Sequence, residues 1–128
     1  MNNTVLKRTI QIAFNVSPLN IEGRCSHVAF LVKSGKIIKI GFNRYKTVPI
    51  TQYHPYHPGL VCKHAEVDVI FKAQKDDLSN YELVVVRINR NGKLAMSKPC
   101  TGCQSIIKQF GIKNVWYSTP DGTMEKMN

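Results

Sequence analysis

His64-Ala65-Glu66 and Pro99-Cys100-Thr101-Gly102-Cys103 are the two stretches whose reading decides the fold of this chain. The first joins a metal-ligating imidazole to a carboxylate two positions later. The second supplies two thiolates at Cys-x-x-Cys spacing. A catalytic zinc site uses three protein ligands and keeps a fourth tetrahedral position for water. His64, Cys100 and Cys103 meet that count, and Glu66 remains as a carboxylate that ligates nothing. Residues two apart on a helix lie about 200° around its axis. His64 and Glu66 therefore border one pocket only at a helix N-terminus, where Glu66 can reach past the histidine and shuttle protons to and from water. Cys-x-x-Cys at the start of a second helix turns both sulfurs toward one metal, and the open amides there favour thiolate. Each half of the motif is thus expected where an extended segment gives way to a helix.

The flanking sequence supplies those elements. From His64 to about Gln74 the chain is apolar almost all round (Ala65, Val67, Val69, Ile70, Phe71), the pattern of a helix buried against a sheet. Thr101 to Phe110 predicts the next helix, with Gly111 as its C′ residue. Tyr81 to Ile88 is a near-continuous apolar run, expected for a central strand covered on both faces. Asn89-Arg90-Asn91-Gly92-Lys93 then makes a sharp turn, and Leu94-Ala95-Met96 leads back to the cysteines. Upstream, an amphipathic helix over residues 3–16 precedes strands at Ser26–Val32 and Ile37–Phe42, joined by a hairpin turn at Lys33-Ser34-Gly35-Lys36. Lys113 to Ser118 is a further strand, and the signals from Thr119 onward are weak. Strand–helix–strand crossovers require parallel pairing with right-handed connections, so the sheet is mixed and helices cover its faces. Both half-motifs then fall in crevices at strand ends, where open α/β sheets bind ligands.

The 128 residues read as one domain, 1–128, long enough for a single core. No apolar run approaches the ~20 residues of a membrane span, and the first residues lack the apolar stretch of a signal peptide, so no membrane partner is expected. Four cysteines, two of them required as thiolates, suit a reducing, cytoplasmic compartment. Eighteen basic residues against eight acidic ones give a net charge of +10, which implies attraction to phosphate, whether of a nucleotide or of a nucleic acid. The cations are scattered (Lys33, Arg44, Lys72, Arg87, Arg90 and Lys93 among them), and most read as solvated faces.

In order along the chain, Val28-Ala29-Phe30-Leu31-Val32, Gly41-Phe42-Asn43, His64-Ala65-Glu66 and Pro99-Cys100-Thr101-Gly102-Cys103 resemble the cytidine deaminase superfamily. Gly111-Ile112-Lys113-Asn114-Val115-Trp116-Tyr117 is similar to the deoxycytidylate deaminase and tRNA adenosine deaminase branch. The resemblance implies a cytidine deaminase-like α/β fold: one three-layer α/β/α domain around a mixed five-stranded sheet, its fourth and fifth strands parallel. It implies one catalytic Zn2+ on His64, Cys100 and Cys103, with Glu66 as the catalytic acid and base, and a homo-oligomer. It nominates Asn43 for the sugar and the backbone of Ala65 for the pyrimidine edge.

The expected reaction is hydrolytic removal of the exocyclic amino group of a nucleobase, foremost cytosine to uracil in a (deoxy)cytidine nucleotide such as dCMP. The same chemistry on cytosine or adenine in single-stranded DNA or tRNA is the alternative, and a non-catalytic zinc-stapled nucleic-acid-binding module is the alternative from another class. Arg44 and Lys46, just past Asn43, are placed to pair with a 5′-phosphate. The Pro- and His-rich loop over residues 44–62 contributes His54 and His57 as candidates to gate the pocket, stack on a base or grip phosphate. The same two histidines with Cys25 and Cys62 could instead form a second, structural zinc site, and Cys25, His27, His54, His57 and Cys62 are each available to close the first site as a fourth ligand.

Overall fold

Alternation along the strands sorts their side chains into two layers of packing. In the computed structural model, which describes residues 1–16, 26–43 and 64–127, the chain runs α1 (Asn3–Val16), β1 (Ser26–Lys33), β2 (Lys36–Phe42), α2 (Ala65–Lys72), β3 (Glu82–Ile88), β4 (Leu94–Ala95), α3 (Thr101–Gln109), β5 (Asn114–Ser118) and β6 (Met124–Lys126). Val28, Phe30 and Val32 of β1 and Val84, Val86 and Ile88 of β3 form one core with Val5, Leu6 and Ala13 of α1. The intervening residues, Ala29, Leu31, Leu83 and Val85, point the other way and pack under α2 and α3. The three-layer α/β/α expectation holds, and β3 is the central strand its unbroken apolar run predicts.

The sheet order is β2-β1-β3-β5-β6, with β4 paired to β3 off that path. β1 is antiparallel to both β2 and β3, and β3 is parallel to β5 through the α3 crossover. Two expectations need correction. Among the described residues the sheet has six strands rather than five, because Met124–Lys126 adds an edge strand where the sequence is only weakly patterned. The fourth and fifth strands along the sheet, β5 and β6, are antiparallel rather than parallel. The reason is reach: parallel neighbours need a crossover of a dozen or more residues. Here the chain reverses within residues 119–123, where Thr119 N–H donates to Thr123 O (3.0 Å) and Gly122 turns at φ +83°.

One contact fixes α2 against the sheet and matters for the site. A Cβ on Gly41 would lie 2.5 Å from the backbone nitrogen of Val69, so only glycine lets β2 and α2 approach this closely. The buried Asp68 carboxylate accepts the Phe42 N–H at 2.9 Å and pairs with Lys72 at 2.9 Å. Together these contacts hold Asn43, the residue after β2, in fixed relation to the start of α2.

Candidate active site

Both halves of the motif lie at helix N-termini. His64 is the N-cap of α2 (φ −72°, ψ 151°) and Cys100 the N-cap of α3 (φ −70°, ψ 169°). Neither side chain caps its own helix, and the two approach each other. Cys103 is the third residue of α3. N-cap and N3 side chains meet over the first turn of a helix, the same proximity that a capping box uses, which is why Cys-x-x-Cys brings two sulfurs together here. The His64 Nδ1 lies 3.7 Å from Cys100 Sγ and 3.3 Å from Cys103 Sγ, and the three donor atoms fall within 4.8 Å of one another.

These separations test the fit to zinc. Bonds of about 2.3 Å to sulfur and about 2.05 Å to nitrogen at a tetrahedral angle put the two donors about 3.5 Å apart. The observed pair of distances brackets that value, and two thiolates with one imidazole are a donor set zinc favours. The group is consistent with one zinc. Without a metal, hydrogen bonding to Cys100 and then burial push the Cys103 thiol up, and hydrogen bonding to Cys100 pushes His64 up. A divalent cation reverses that logic by binding the deprotonated forms. Cys100 and Cys103 are both free thiols rather than a disulfide.

Glu66, the second residue of α2, is 5 % exposed, and burial is the main force pushing its carboxyl up. Its own helix-terminal amide and His64 pull the other way. A buried carboxyl shifted toward neutrality, beside three metal-donor groups, can both accept and return a proton.

Glu66 opens onto a cavity of about 290 Å³ that His64, Ala65, Cys100 and Asn43 also line. Asn43 is held there by its main chain and side chain together: His27 N–H donates to Asn43 Oδ1 at 3.0 Å, and Asn43 N–H donates to His27 O at 3.3 Å. The structure thus brings together six of the nine nominated residues, His64, Ala65, Glu66, Cys100, Cys103 and Asn43. Arg44, His54 and His57 lie outside the described residues, as do Lys46, Cys25 and Cys62 and with them the second-zinc arrangement.

Five further residues line the cavity: His27, Arg87, Met96, Ser97 and Lys98. His27 is not one of the three clustered metal donors, so its role as a fourth ligand is not adopted. Its pKa is lowered to about 4 by burial, with the charges of Arg87 and His64 adding to the effect. Arg87 departs from the solvated-face reading. It is directly opposite His27 on the neighbouring strand, half-buried, with Nη1 3.4 Å from Met96 O. The signal for both was available: each falls in step with Ala29, Leu31, Leu83 and Val85 on the α2 face, so a polar residue there continues a buried row.

Ser97 is structural. Its hydroxyl donates to Val85 O (2.7 Å), accepts the Ser118 N–H (2.7 Å) and lies 2.9 Å from Ser118 Oγ. Ser118 Oγ in turn donates to Ala95 O and accepts the Arg87 N–H. This buried pair latches the segment before Pro99-Cys100 to the end of β5.

A family model, the cytidine and deoxycytidylate deaminase zinc-binding region, matches residues 5–119. No curated protein matches the sequence. Among solved structures, a cytidine deaminase from Burkholderia pseudomallei is similar with a TM-score of 0.66 at 17% identity, over 100% of this chain and 93% of that one. A dCMP deaminase from the cyanophage S-TIM5 gives 0.60 at 21% identity, over 91% and 84%. The deaminase/reductase of Thermotoga maritima gives 0.54 at 26% identity, over 89% of this chain but 29% of that one. The family match spans both halves of the metal group, and the chain belongs to the cytidine and deoxycytidylate deaminase zinc-binding family, the zinc-dependent hydrolytic deaminases.

Proposed function

We propose that this protein converts cytosine to uracil in a free cytidine or deoxycytidine nucleotide, dCMP foremost, with His64, Cys100 and Cys103 holding zinc and Glu66 as the catalytic acid and base. The observation that carries this reading is the placement of Glu66, which is buried and lines the same cavity as His64, Cys100 and Asn43, with Cys103 completing the donor group. The net charge of +10 favours an anionic substrate. One of the similar structures, the S-TIM5 dCMP deaminase, is of a complex with dCMP and dUMP.

Zinc, when bound, supplies Lewis-acid activation of water at neutral pH. The protein's own residues carry the rest. Glu66 takes a proton from the attacking water and passes it to the ring nitrogen N3. Water oxygen adds at C4, the bond from C4 to the exocyclic nitrogen breaks, and Glu66 delivers the second proton so that ammonia leaves. Asn43 holds the sugar, and the Ala65 backbone at the helix terminus faces the pyrimidine edge.

The zinc-loaded protein, offered dCMP, CMP, deoxycytidine, dCTP, guanine, single-stranded DNA and tRNA, is expected to release ammonia fastest from dCMP or CMP. Glu66→Gln is expected to lower kcat by about 10²–10⁴-fold. Full activity in that variant would remove Glu66 from the mechanism. The charge of +10 also supports a second reading, the same reaction on an unpaired base in a nucleic acid; log affinity for single strands would then fall steeply with log salt.

A further inference from the structure

The cavity is lined mostly by groups that hydrogen-bond or ligate metal, and Met96 departs from that pattern. Among the described lining residues it carries the one large hydrophobic side chain, since Ala65 is small and fully buried. Four large hydrophobic residues are exposed among those described, Phe14, Ile38, Phe71 and Met96, and Met96 is the most exposed of them at 46 %. It is also the one of the four that borders the cavity.

This exposure does not come from a loose backbone. Ala95 pairs with Arg87 across the β3–β4 ladder, and its carbonyl accepts the Ser118 hydroxyl at 2.8 Å. The Met96 carbonyl accepts Arg87 Nη1 at 3.4 Å. Ser97 N–H donates to Ser118 O at 3.0 Å, while its hydroxyl is tied to Val85 O and the Ser118 amide. Farther on, Pro99 O accepts Gln104 Nε2 at 2.8 Å and Cys100 O accepts the Gln104 N–H at 2.9 Å. Met96 therefore holds a set position in a pinned strip that leads directly into the ligand Cys100. Its apolar surface is left to water at the cavity, and burial against a ligand would recover that cost.

The reaction calls for such a surface. Water oxygen adds to C4 perpendicular to the ring plane, so one face of the base turns toward the metal donors and Glu66. The Ala65 backbone and Asn43 are assigned to the ring edge and the sugar, which leaves the second ring face without a contact. A flat π-face is poorly served by hydrogen-bonding groups, whereas a polarizable thioether packs well against one.

We propose that Met96 packs on the face of the cytosine ring turned away from Glu66 and so holds the base for attack. This rests on the cytosine reading above and extends it from the ring edge and sugar to the ring plane.

The test compares the zinc-loaded wild type with Met96→Ala, Met96→Leu and Met96→Gln on dCMP and deoxycytidine. Met96→Ala is expected to lower kcat/KM about ten-fold on both substrates, mainly through KM. Leucine, apolar and close in volume, should restore most of the loss, and glutamine, close in length but polar, should not. Calorimetric binding of dUMP should weaken in Met96→Ala by a similar factor, without turnover. Zinc per chain and the unfolding midpoint should stay at wild-type values, which separates a base contact from a structural role. Unchanged KM and unchanged dUMP affinity in Met96→Ala would overturn the contact while leaving cytosine deamination standing. So would full activity in Met96→Gln, or a loss in Met96→Ala that follows zinc content instead of KM. No turnover of any cytosine substrate by the wild type would instead overturn the function. The dUMP titration then decides the contact alone, and binding that is absent in the wild type or equal in Met96→Ala would overturn it.

Discussion

The two faces of the sheet use the same strands for opposite ends. Toward α1, β1 and β3 present Val28, Phe30, Val32, Val84, Val86 and Ile88, and the row stays buried to its end. Toward α2 and α3, the row begins as Ala29, Leu31, Leu83 and Val85 but finishes in the opposed pair His27 and Arg87. One face is a core and nothing else. The other is a core for most of its length and a cavity floor at its last rung, where the two metal-donor helices begin. The chemistry occupies the place where hydrophobic packing stops on one side only.

That contrast can be broken in four ways. Cys103→Ala acts on the cavity face alone. It should reduce bound zinc from one per chain toward none by metal analysis and abolish detectable ammonia release, and retention of stoichiometric zinc would remove Cys103 from the ligand set. Phe30→Ala acts on the closed face. Phe30 is fully buried, so denaturant unfolding should show a loss of about 3–5 kcal/mol, with zinc per folded chain unchanged.

A third experiment uses pH. His27 titrates near 4 in the folded protein against 6.5 as the ordinary value. The unfolded chain therefore binds more protons between those values, and stability rises with pH across that window. Acidification from 6.5 to 4 should cost about 3 kcal/mol through this group. His27→Val should flatten the curve relative to wild type, and an identical slope in both would show that His27 is not the group responsible. Smallest is Ser118→Ala, which strips partners from Ser97, Ala95 and the Arg87 amide. A loss of about 1–3 kcal/mol is expected in chemical denaturation, with zinc still bound.

Much of the fold was legible because its signals are local. The helix over 3–16, the Ser34-Gly35 hairpin and the buried run of β3 each follow from patterns within a single element. The four metal-site residues were equally legible, since their spacing is meaningful only at helix starts. What escaped reading depends on neighbours distant in sequence. Arg87 has the residue type of a solvated surface; its step with Leu83 and Val85 marks a buried row, but its register opposite His27 is needed to show a cavity wall. β6 is three residues long with a glutamate and a lysine, so pairing with β5 rather than composition makes it a strand. The parallel arrangement expected from the family resemblance fails on the length of one connection, which no motif encodes. The Ser97–Ser118 pair joins two unremarkable serines across 21 positions.

That serine pair also has a bearing on how metal binding couples to folding. Cys100 and Cys103 lie just beyond Ser97, and Ser118 ends β5, the strand that follows their helix. His64 comes from a separate part of the chain. In the native structure the three donors are brought together by contacts distant in sequence, of the kind that form slowly. Zinc binding is then linked to the stability of the β3–α3–β5 unit, because a site assembled from distant segments does not exist in the unfolded chain.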